Sequence, residues 1–231
     1  MRVLVACEYS GTVRDAFLTR GHDAMSCDLL PTDRPGPHFQ GDAREVLGDG
    51  WDLLIAHPPC TYLTVAAEWA YKDPDFDRYP GVGYHQRLKA GTLFGEERRR
   101  ARVNAVEFFL LMWNCGIPRI CIENPVGHIS RHIEGAARQT IQPHQFGHDA
   151  SKATCLWLRG LPELVPTKLI DPRMVAGNPR WSNQTDGGQN KLPPSSDRWK
   201  HRSTTYAGIA EAMADQWGKL VNEPTAKGNR Q

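Results

Sequence analysis

The stretch that most constrains the fold of this chain is WDLLIAHPPCTYLT, at residues 51–64. Its apolar run, residues 53–56, predicts a short strand that is buried on both faces of a sheet. Pro58 and Pro59 then remove two backbone donors and fix φ, so the chain leaves the sheet as a stiff, extended loop. That loop places Cys60 at the carboxyl end of a strand, where open α/β sheets bind their ligands. A thiol in this position is a candidate nucleophile, and a turn that happens to contain a cysteine is the alternative interpretation.

Further apolar runs alternate with segments of helical periodicity along the chain. Because alternating strands and helices are joined by right-handed crossovers, the pattern predicts an α/β fold with a single-domain, Rossmann-like, mostly parallel sheet and helices on both faces. The domain is expected to span residues 1–220, followed by a frayed tail at 221–231. The predicted strands are residues 2–7, 24–27, 53–56, 119–122 and 154–158, with a short third strand before Asp42, and the predicted helices are residues 12–20, 95–115 and 206–220, with a helical turn at 43–46.

Composition and cysteine content exclude several classes of protein. The 231 residues carry a net charge of +2, which by itself identifies no binding partner. No apolar run approaches ~18 residues and the N-terminus shows no secretory signal, so we expect no transmembrane helix and a cytoplasmic location. The six cysteines are scattered and include no CxxC pair, which favours reduced thiols over disulfides or a structural zinc site.

Polar groups follow the first three predicted strands. Gly11 lies in the turn after the first strand, Asp28 ends the second and Asp42 follows the third. Such strand ends meet at one edge of a parallel sheet, and an acid after the second strand commonly binds the ribose hydroxyls of a nucleotide-like ligand. The ordered set therefore predicts a nucleotide-like ligand at this edge, and solvated turn residues are the alternative.

A later strand end carries another carboxylate. Residues 119–122 predict a buried strand that runs into Glu123 and Asn124 and is stopped by Pro125. We expect Glu123 to lie on the same rim as Cys60, where desolvation would raise its pKa so that it donates a proton near neutral pH. A solvated turn is again the alternative.

Two long segments outside the predicted elements are candidates for substrate contacts. Residues 66–94 are polar and aromatic, and a loop of this length in a compact domain is typical of a lid or substrate loop whose rings can stack on a base. Residues 161–202 form a basic, irregular excursion in which, between 165 and 202, seven Lys or Arg accompany three Asp. This composition indicates a nucleic-acid or nucleotide surface, or a flexible surface segment.

The helix predicted at residues 95–115 combines an apolar stripe with a basic run. We expect the four arginines at 98, 99, 100 and 102 to form a solvated face, with phosphate contact as the alternative. The predicted stripe consists of Val103, Val106, Phe109, Leu110 and Trp113.

Taken together, these motifs resemble those of the cytosine carbon-5 DNA methyltransferases, which use S-adenosyl-L-methionine. Pro58-Pro59-Cys60 is similar to the Pro-Pro-Cys nucleophile motif of that family, and Glu123-Asn124 is similar to its Glu-Asn motif. Each motif alone is a weak signal, whereas the ordered pair, each after an apolar strand, is a specific one. The resemblance covers residues 2–158, with a weaker similarity at 203–217, and implies a Rossmann-like methyltransferase sheet in a compact, phage-type member of the family.

The resemblance implies a role for each matching residue. Cys60 would add to carbon 6 of cytosine as a thiolate, and Glu123 would protonate ring nitrogen 3, which makes carbon 5 nucleophilic toward the sulfonium methyl group. In a duplex the base would first be flipped out of the stack. The residues implied for the cofactor are Cys7, Tyr9, Gly11, Asp28, Asp42 and Pro58, and those implied for the substrate are Pro59, Tyr62, Asn124, Lys152 and Thr154.

The sequence departs from the family pattern in several places. Tyr9 stands where the family has glycine, the Gln-x-Arg-x-Arg motif aligns on residues 150–154 with only Lys152 as a cation, and no closing Gly-Asn motif is evident near Gly208. The chain also lacks the large target-recognition domain, whose place in the order is taken by residues 161–202. A duplex recognition site normally needs roughly 1,000 Å² of protein surface, which so short a segment hardly provides.

DNA is the first substrate that the resemblance implies, and single-stranded DNA or a free cytosine nucleotide such as dCMP or CMP is the close alternative. Transfer of a group other than methyl, a non-catalytic nucleic-acid binder on the same fold, and an exocyclic amino-methyltransferase, which His57 and Cys60 fit poorly, are further alternatives. A metal enzyme is the last alternative, because the chain has two pairs of histidines with a spacing of four residues, His128/His132 and His144/His148. We expect no metal and no membrane partner, and a bacterial or phage-infected host cytoplasm as the setting.

Overall fold

The apolar runs of the sequence pair into one seven-stranded sheet in the computed structural model, which describes residues 1–65, 67–125, 127–195 and 198–222. The strands are β1 (Arg2–Ala6), β2 (Asp23–Asp28), β3 (His38–Gln40), β4 (Leu53–Ala56), β5 (Arg119–Glu123), β6 (Ala137–Ile141) and β7 (Thr154–Arg159). They lie in the order β3-β2-β1-β4-β5-β7-β6. β7 is antiparallel to β5 and β6, and the other pairs are parallel. The predicted fold class, a single-domain α/β fold with a mostly parallel, Rossmann-like sheet, is confirmed.

Helices cover both faces of this sheet. Side chains alternate along β1, so Val3 and Val5 point to one face and Leu4 and Ala6 to the other. The helices are α1 (Thr12–Thr19), α2 (Gly95–Trp113), α3 (Arg198–Ser203) and α4 (Ala207–Trp217). α1 and α4 pack on the face of Val3, and α2 packs on the opposite face. Within the described ranges, none of the helices is both long and apolar enough to cross a membrane.

Three strands lie outside the predicted elements. β6 has the sequence ARQTI, in which only Ile141 is buried, so this edge strand shows no apolar alternation. β8 (Arg173–Val175) and β9 (Asn178–Arg180) form a separate two-stranded hairpin within residues 161–202. Their side chains are mostly exposed, which explains why hydrophobic periodicity does not predict them.

Two expectations for α2 are wrong. Val103 is 54% exposed and takes no part in the buried stripe, which runs through Val106, Phe109 and Met112. Arg98 and Arg102 are not solvated, since they are 5% and 9% exposed.

Arg102 is buried because it ties the start of the 66–94 loop to α2. Its guanidinium forms two hydrogen bonds with the Glu68 carboxylate, at 2.9 and 2.7 Å, and its Nε donates to the carbonyl of Tyr62 at 2.9 Å. The same guanidinium lies 3.3 Å from the centroid of the Tyr71 ring, and that of Arg98 lies 4.6 Å from it. Paired charges and a cation–π contact compensate the cost of burying the arginines.

The aromatic rings of this loop pack on one another. Tyr84 is buried, its hydroxyl donates to the carbonyl of Lys72 at 2.8 Å, and its ring meets the edge of Trp69 at 5.1 Å between centroids. Tyr71 is also buried. Tyr71 and Tyr84 are therefore covered rather than available to stack on a base, which corrects the expectation for these two rings. Trp69 is half-buried.

The basic excursion is partly neutralised by its own acid. Arg173 donates to the carboxylate of Asp186 at 2.6 Å, and Nε of Arg180 donates to the Asp186 carbonyl at 2.9 Å. Trp181 stacks on His144 with 4.3 Å between ring centroids. Residues 196 and 197 and the side chains of Trp199 and His201 lie outside the described residues, as does the predicted tail from residue 223 onward.

Replacement of Arg102 tests the attachment of the loop. We expect Arg102→Met to release residues 72–93, because the carboxylate of Glu68 and the carbonyl of Tyr62 lose their donors. Limited proteolysis should cleave this segment about tenfold faster than in the wild type, which corresponds to about 1.4 kcal/mol of lost local stability. Arg100→Met, at an exposed position of the same helix, is the matched control. Equal cleavage of both variants would contradict the anchoring role.

Candidate active site

The parallel register of β1, β4 and β5 sets three strand ends side by side. Ala6 pairs with Ala56, and Ala56 pairs with Ile122. Beyond the strand, the amide of His57 donates to the carbonyl of Ala6 at 2.9 Å. The loop after β4 and the carboxylate of Glu123 at the end of β5 therefore share one edge of the sheet, where open α/β folds bind ligands.

Cys60 lies on this loop with its side chain exposed to solvent. Its carbonyl accepts from the amides of Leu63 at 2.9 Å and Thr64 at 3.2 Å, so the chain turns tightly directly after the thiol. Partial burial raises the pKa of the Cys60 thiol, as does the charge of Glu123. A backbone hydrogen bond and the positive charges of Arg202 and Lys152 act in the opposite direction on this pKa.

Glu123 is held by His57, the residue directly before the two prolines. Nδ1 of His57 lies 2.8 Å from Oε2 of Glu123, and the two side chains are 11% and 21% exposed. Nε2 of His57 is buried without a hydrogen-bond partner in the described part of the chain. The imidazole therefore has one bonded neighbour, the candidate catalytic carboxylate.

The pairing reverses the expectation for the pKa of Glu123. Burial by itself raises this pKa, but the hydrogen bond from His57 and the charges of His57 and Lys152 outweigh it, so the pKa of Glu123 is lowered. Burial likewise lowers the pKa of His57, and its hydrogen bond with Glu123 and the charges of Glu123 and Glu8 outweigh that effect and raise it. Both directions favour an imidazolium paired with a carboxylate. The prediction of a raised pKa at Glu123 is wrong.

Lys152 and Thr154 border the other side of Glu123. Nζ of Lys152 lies 4.0 Å from Oε1 of Glu123, and the Thr154 hydroxyl donates to the carbonyl of Lys152 at 3.1 Å. These three residues and the start of α4 enclose a cavity of about 10 Å³, enough for about one water molecule. The structure thus brings Lys152 and Thr154, two of the predicted substrate residues, next to the candidate acid.

Asn124 and Pro58 hold the Cys60 loop from below. Asn124 is 1% exposed, and its side-chain amide donates to the carbonyl of Pro58 at 3.4 Å. The backbone carbonyl of Asn124 accepts from Nε1 of Trp157 at 3.1 Å. Pro58 is buried as well. Both residues have a structural role in this arrangement, and direct contact of either with a ligand stays a prediction.

Pro59 and Tyr62 flank the thiol in sequence but face different surroundings. Pro59 is exposed beside Cys60. Tyr62 is half-buried, and its ring lies 5.4 Å from the guanidinium of Arg98, so it belongs to the cluster that anchors the 66–94 loop.

Glu8 closes the first turn of α1. Its Oε1 accepts from the amide of Val13 at 2.7 Å, and its Oε2 accepts from the amide of Arg14 at 3.3 Å. A carboxylate at a helix N-terminus satisfies free amides and suits the helix dipole. Gly11 lies in the same turn at φ +69°, and a Cβ there would come within 2.5 Å of the buried Arg14 guanidinium. The packing of Arg14 thus requires this glycine.

Cys7 and Tyr9 form the start of the same turn. Cys7 adopts a left-handed φ of 58°, and burial and the charges of Asp28 and Asp42 raise the pKa of its thiol, which keeps it neutral. The Tyr9 hydroxyl donates to the carbonyl of Lys200 at 3.1 Å and lies 3.2 Å from the Ser203 hydroxyl. Tyr9 therefore fastens α3, which carries Arg202, to the candidate site.

The two remaining predicted cofactor residues lie at the ends of β2 and β3. Oδ1 of Asp28 accepts from the amide of Leu30 at 2.9 Å, and Asp42 caps a short 3-10 turn and pairs with Arg44 at 2.8 Å. Leu29, next to Asp28, is 73% exposed. Both acids act on the pKa of the Cys7 thiol, so all three groups are close together, as the strand order predicts.

Sequence reasoning missed His57 and Glu8. The signal for Glu8 is an acid a few residues before a helix, where a negative charge suits the helix dipole. The signal for His57 is weaker, because only its position between a buried strand and a proline marks it as a rigidly held side chain.

The histidine pairs have structural partners. The rings of His128 and His132 lie 5.2 Å apart, and Nε2 of His148 accepts from the amide of Gly208 at 2.9 Å. Among the described residues, no group of three or more His, Cys, Asp or Glu is placed to hold a metal ion.

Comparisons with known proteins give a distant structural similarity and no sequence match. No protein-family model and no curated protein sequence matches the chain. Among solved structures, it is similar to the Entamoeba histolytica methyltransferase EhMeth, with 11% sequence identity and a TM-score of 0.45. The match covers 74% of this chain and 58% of that one, so this chain spans less than two thirds of the length of EhMeth.

The His57–Glu123 pair predicts a pH window of stability. The lowered pKa of Glu123 stabilises the fold above the ordinary value of 4.5, and this contribution is lost as the pH falls through the lowered pKa. The raised pKa of His57 stabilises the fold below the ordinary value of 6.5, and this contribution is lost as the pH rises through the raised pKa. Between these values we expect Glu123→Gln to reduce the free energy of unfolding by about 1–3 kcal/mol.

Urea unfolding of both proteins across this pH range measures the effect. Glu134→Gln, at an exposed position, is the matched control and should leave the profile unchanged. A loss in Glu123→Gln that is the same at every pH would contradict an ionised pair.

Proposed function

We propose that this protein transfers the methyl group of S-adenosyl-L-methionine to carbon 5 of cytosine in DNA, after covalent addition of Cys60 to carbon 6. The observation that carries the proposal is an exposed thiol and a hydrogen-bonded carboxylate at the ends of neighbouring parallel strands. In this proposal, a planar ring at this edge meets the sulfur with its face and the carboxyl group with its rim. Nucleophilic addition supported by an acid at the ring needs these two groups in one cleft.

The surroundings of Cys60 support its role as the nucleophile. Burial raises the pKa of the Cys60 thiol, and the charges of Arg202 and Lys152 partly oppose this effect. The stiff loop between Pro58 and the tight turn after Cys60 limits the positions of the sulfur. Addition forms the bond from sulfur to carbon 6 and moves electron density toward ring nitrogen 3, where Glu123 is proposed to deliver a proton. Covalent catalysis thereby divides one difficult step into easier ones.

The residues at the ends of β2 and β3 fit an adenosine-type cofactor. Asp28 and Asp42 offer carboxylate oxygens to ribose hydroxyls and to an exocyclic amine, and the exposed Leu29 offers an apolar surface to a flat ring. When bound, S-adenosyl-L-methionine supplies an electrophilic methyl group to the reaction. The chain itself contributes binding, orientation and proton handling.

A free cytosine nucleotide is the second candidate substrate. The hairpin in the basic excursion uses Arg173 and Arg180 to bind Asp186, which reduces the positive charge that it can present to a phosphate backbone. Tyr71 and Tyr84 are covered, so they provide no stacking platform for a strand of DNA. These two observations support a free nucleotide as the second candidate.

Removal of the thiol tests the nucleophile. We expect Cys60→Ala to lower methyl transfer by at least about 10³-fold, because no other group on this loop can add to the ring. Mass spectrometry of nucleosides after incubation with S-adenosyl-L-methionine measures the transfer, and Cys115→Ala, at another free cysteine, is the matched control. Full turnover by Cys60→Ala would contradict the assignment.

The same assay separates the substrates when duplex DNA, single-stranded DNA and dCMP are offered in parallel. Methyl gain on duplex DNA is the expected result. Gain only on dCMP would establish the second candidate, and no gain on any substrate together with tight DNA binding would contradict both in favour of a binding protein.

Replacement of Asp28 tests the cofactor site. Asp28→Asn keeps the acceptor for the Leu30 amide but removes the charge, so we expect binding of S-adenosyl-L-methionine to weaken roughly 10-fold or more. Isothermal titration calorimetry measures the affinity, with Asp77→Asn at an exposed loop position as the control. Unchanged affinity would place the cofactor elsewhere.

A further inference from the structure

His57 is fixed both through its backbone and through its side chain. Its amide donates to the carbonyl of Ala6 at 2.9 Å, and Pro58 restricts its backbone to extended conformations. Nδ1 lies 2.8 Å from Oε2 of Glu123, and Nε2 is buried with no hydrogen-bond partner in the described ranges. The imidazole can therefore exchange a proton with Glu123 through Nδ1.

The charged groups around His57 come from three other parts of the fold. Glu123 faces it from β5, Glu8 acts on it from the turn after β1, and Lys152 acts on it from the segment before β7. Two carboxylates oppose one ammonium group, so the surroundings favour an imidazolium. A lone Glu123 in this site would have to carry the proton itself.

We propose that His57 is a positioning residue that stores the proton which Glu123 delivers to ring nitrogen 3 of cytosine. This inference rests on the proposed function and deepens it, because it names the source of the proton for the addition step. The pair, rather than the glutamate alone, then forms the acid.

Protons and electrons balance in this addition step. The Cys60 thiolate forms the bond to carbon 6, and the electron pair of the C5–C6 double bond moves through carbon 4 toward nitrogen 3. The proton leaves Nδ1 of His57 for the Glu123 carboxylate, which passes it to nitrogen 3, so the pair is left as a neutral imidazole and a carboxylate. In reversal, nitrogen 3 returns the proton to the pair and the sulfur leaves carbon 6.

This arrangement predicts a bell-shaped pH profile for addition. Addition needs the Cys60 thiolate and the proton on His57 at the same time, so one limb of the profile reports each group, and the group with the lower pKa sets the limb at lower pH. In His57→Asn the side-chain amide still donates to Glu123 but does not titrate, so the proton has to reside on Glu123. The limb that reports His57 should then move to lower pH by at least about one unit.

Exchange of the carbon 5 hydrogen with water reports addition without any cofactor, because the enamine takes up and loses a proton at carbon 5. Release of tritium from 5-tritiated cytosine in DNA or dCMP, measured across pH for the wild type, His57→Asn and His57→Gln, gives the profiles. His132→Asn, at an exposed histidine, is the control, and its pH profile should match that of the wild type. A shifted limb in the His57 variants supports the proposal, and an unmoved limb with exchange retained overturns it while leaving the proposed function intact.

A second measurement uses only the wild-type protein and so does not depend on the folding of the variants. In ¹⁵N-histidine NMR spectra of the wild-type protein, the His57 ring should stay protonated above the ordinary value of 6.5. Titration at or below that value overturns the proposal. Absence of exchange by the wild type on every substrate overturns the proposed function, and the catalytic role of His57 falls with it.

Discussion

The parallel pairing of β4 with both β1 and β5 is the constraint on which the rest of this structure depends. It sets Ala6, Ala56 and Ile122 in one row, so that the residues that follow each strand emerge at a single edge. The chain then leaves β4 through His57 and two prolines, which allow little freedom. The hydrogen bond between His57 and Glu123 joins the loop of the thiol to the neighbouring strand. Without the register, these groups would have no reason to meet.

Hydrophobic patterning is sufficient to predict this frame because its central strands are buried on both faces. Runs such as residues 53–56 have no polar member, and their order with the helices dictates parallel pairing. The same logic fails for β6 and for the β8–β9 hairpin, whose residues are mostly exposed. A strand at an edge is formed by hydrogen bonds to its neighbour, and those leave little trace in the pattern of side chains.

The sequence predicts where the residues of the candidate site lie, but it does not predict their charge states. Cys60 and Glu123 follow apolar runs and can be located from the sequence, whereas the pKa of Glu123 depends on which group lies beside it. Its partner, His57, is 66 residues away in the chain. Arg98 and Arg102 show the same limit, because a run of arginines indicates a solvated face until Glu68 and Tyr71 are found against it. Pairing across the fold reverses what composition suggests.

Glu8 bears on which kind of cofactor this edge can hold. In dinucleotide-binding folds, the amides of the first helix after β1 bind a pyrophosphate. Here the amides of Val13 and Arg14 already donate to the buried Glu8 carboxylate, so the anion site is filled by the chain itself. A phosphate at this position would meet a negative charge and no free donor from these two amides. The charged groups at this edge are instead the carboxylates of Asp28 and Asp42, whose oxygens suit hydroxyl and amino groups. The electrostatics at this helix end therefore disfavour a pyrophosphate, which is compatible with the proposed sulfonium cofactor.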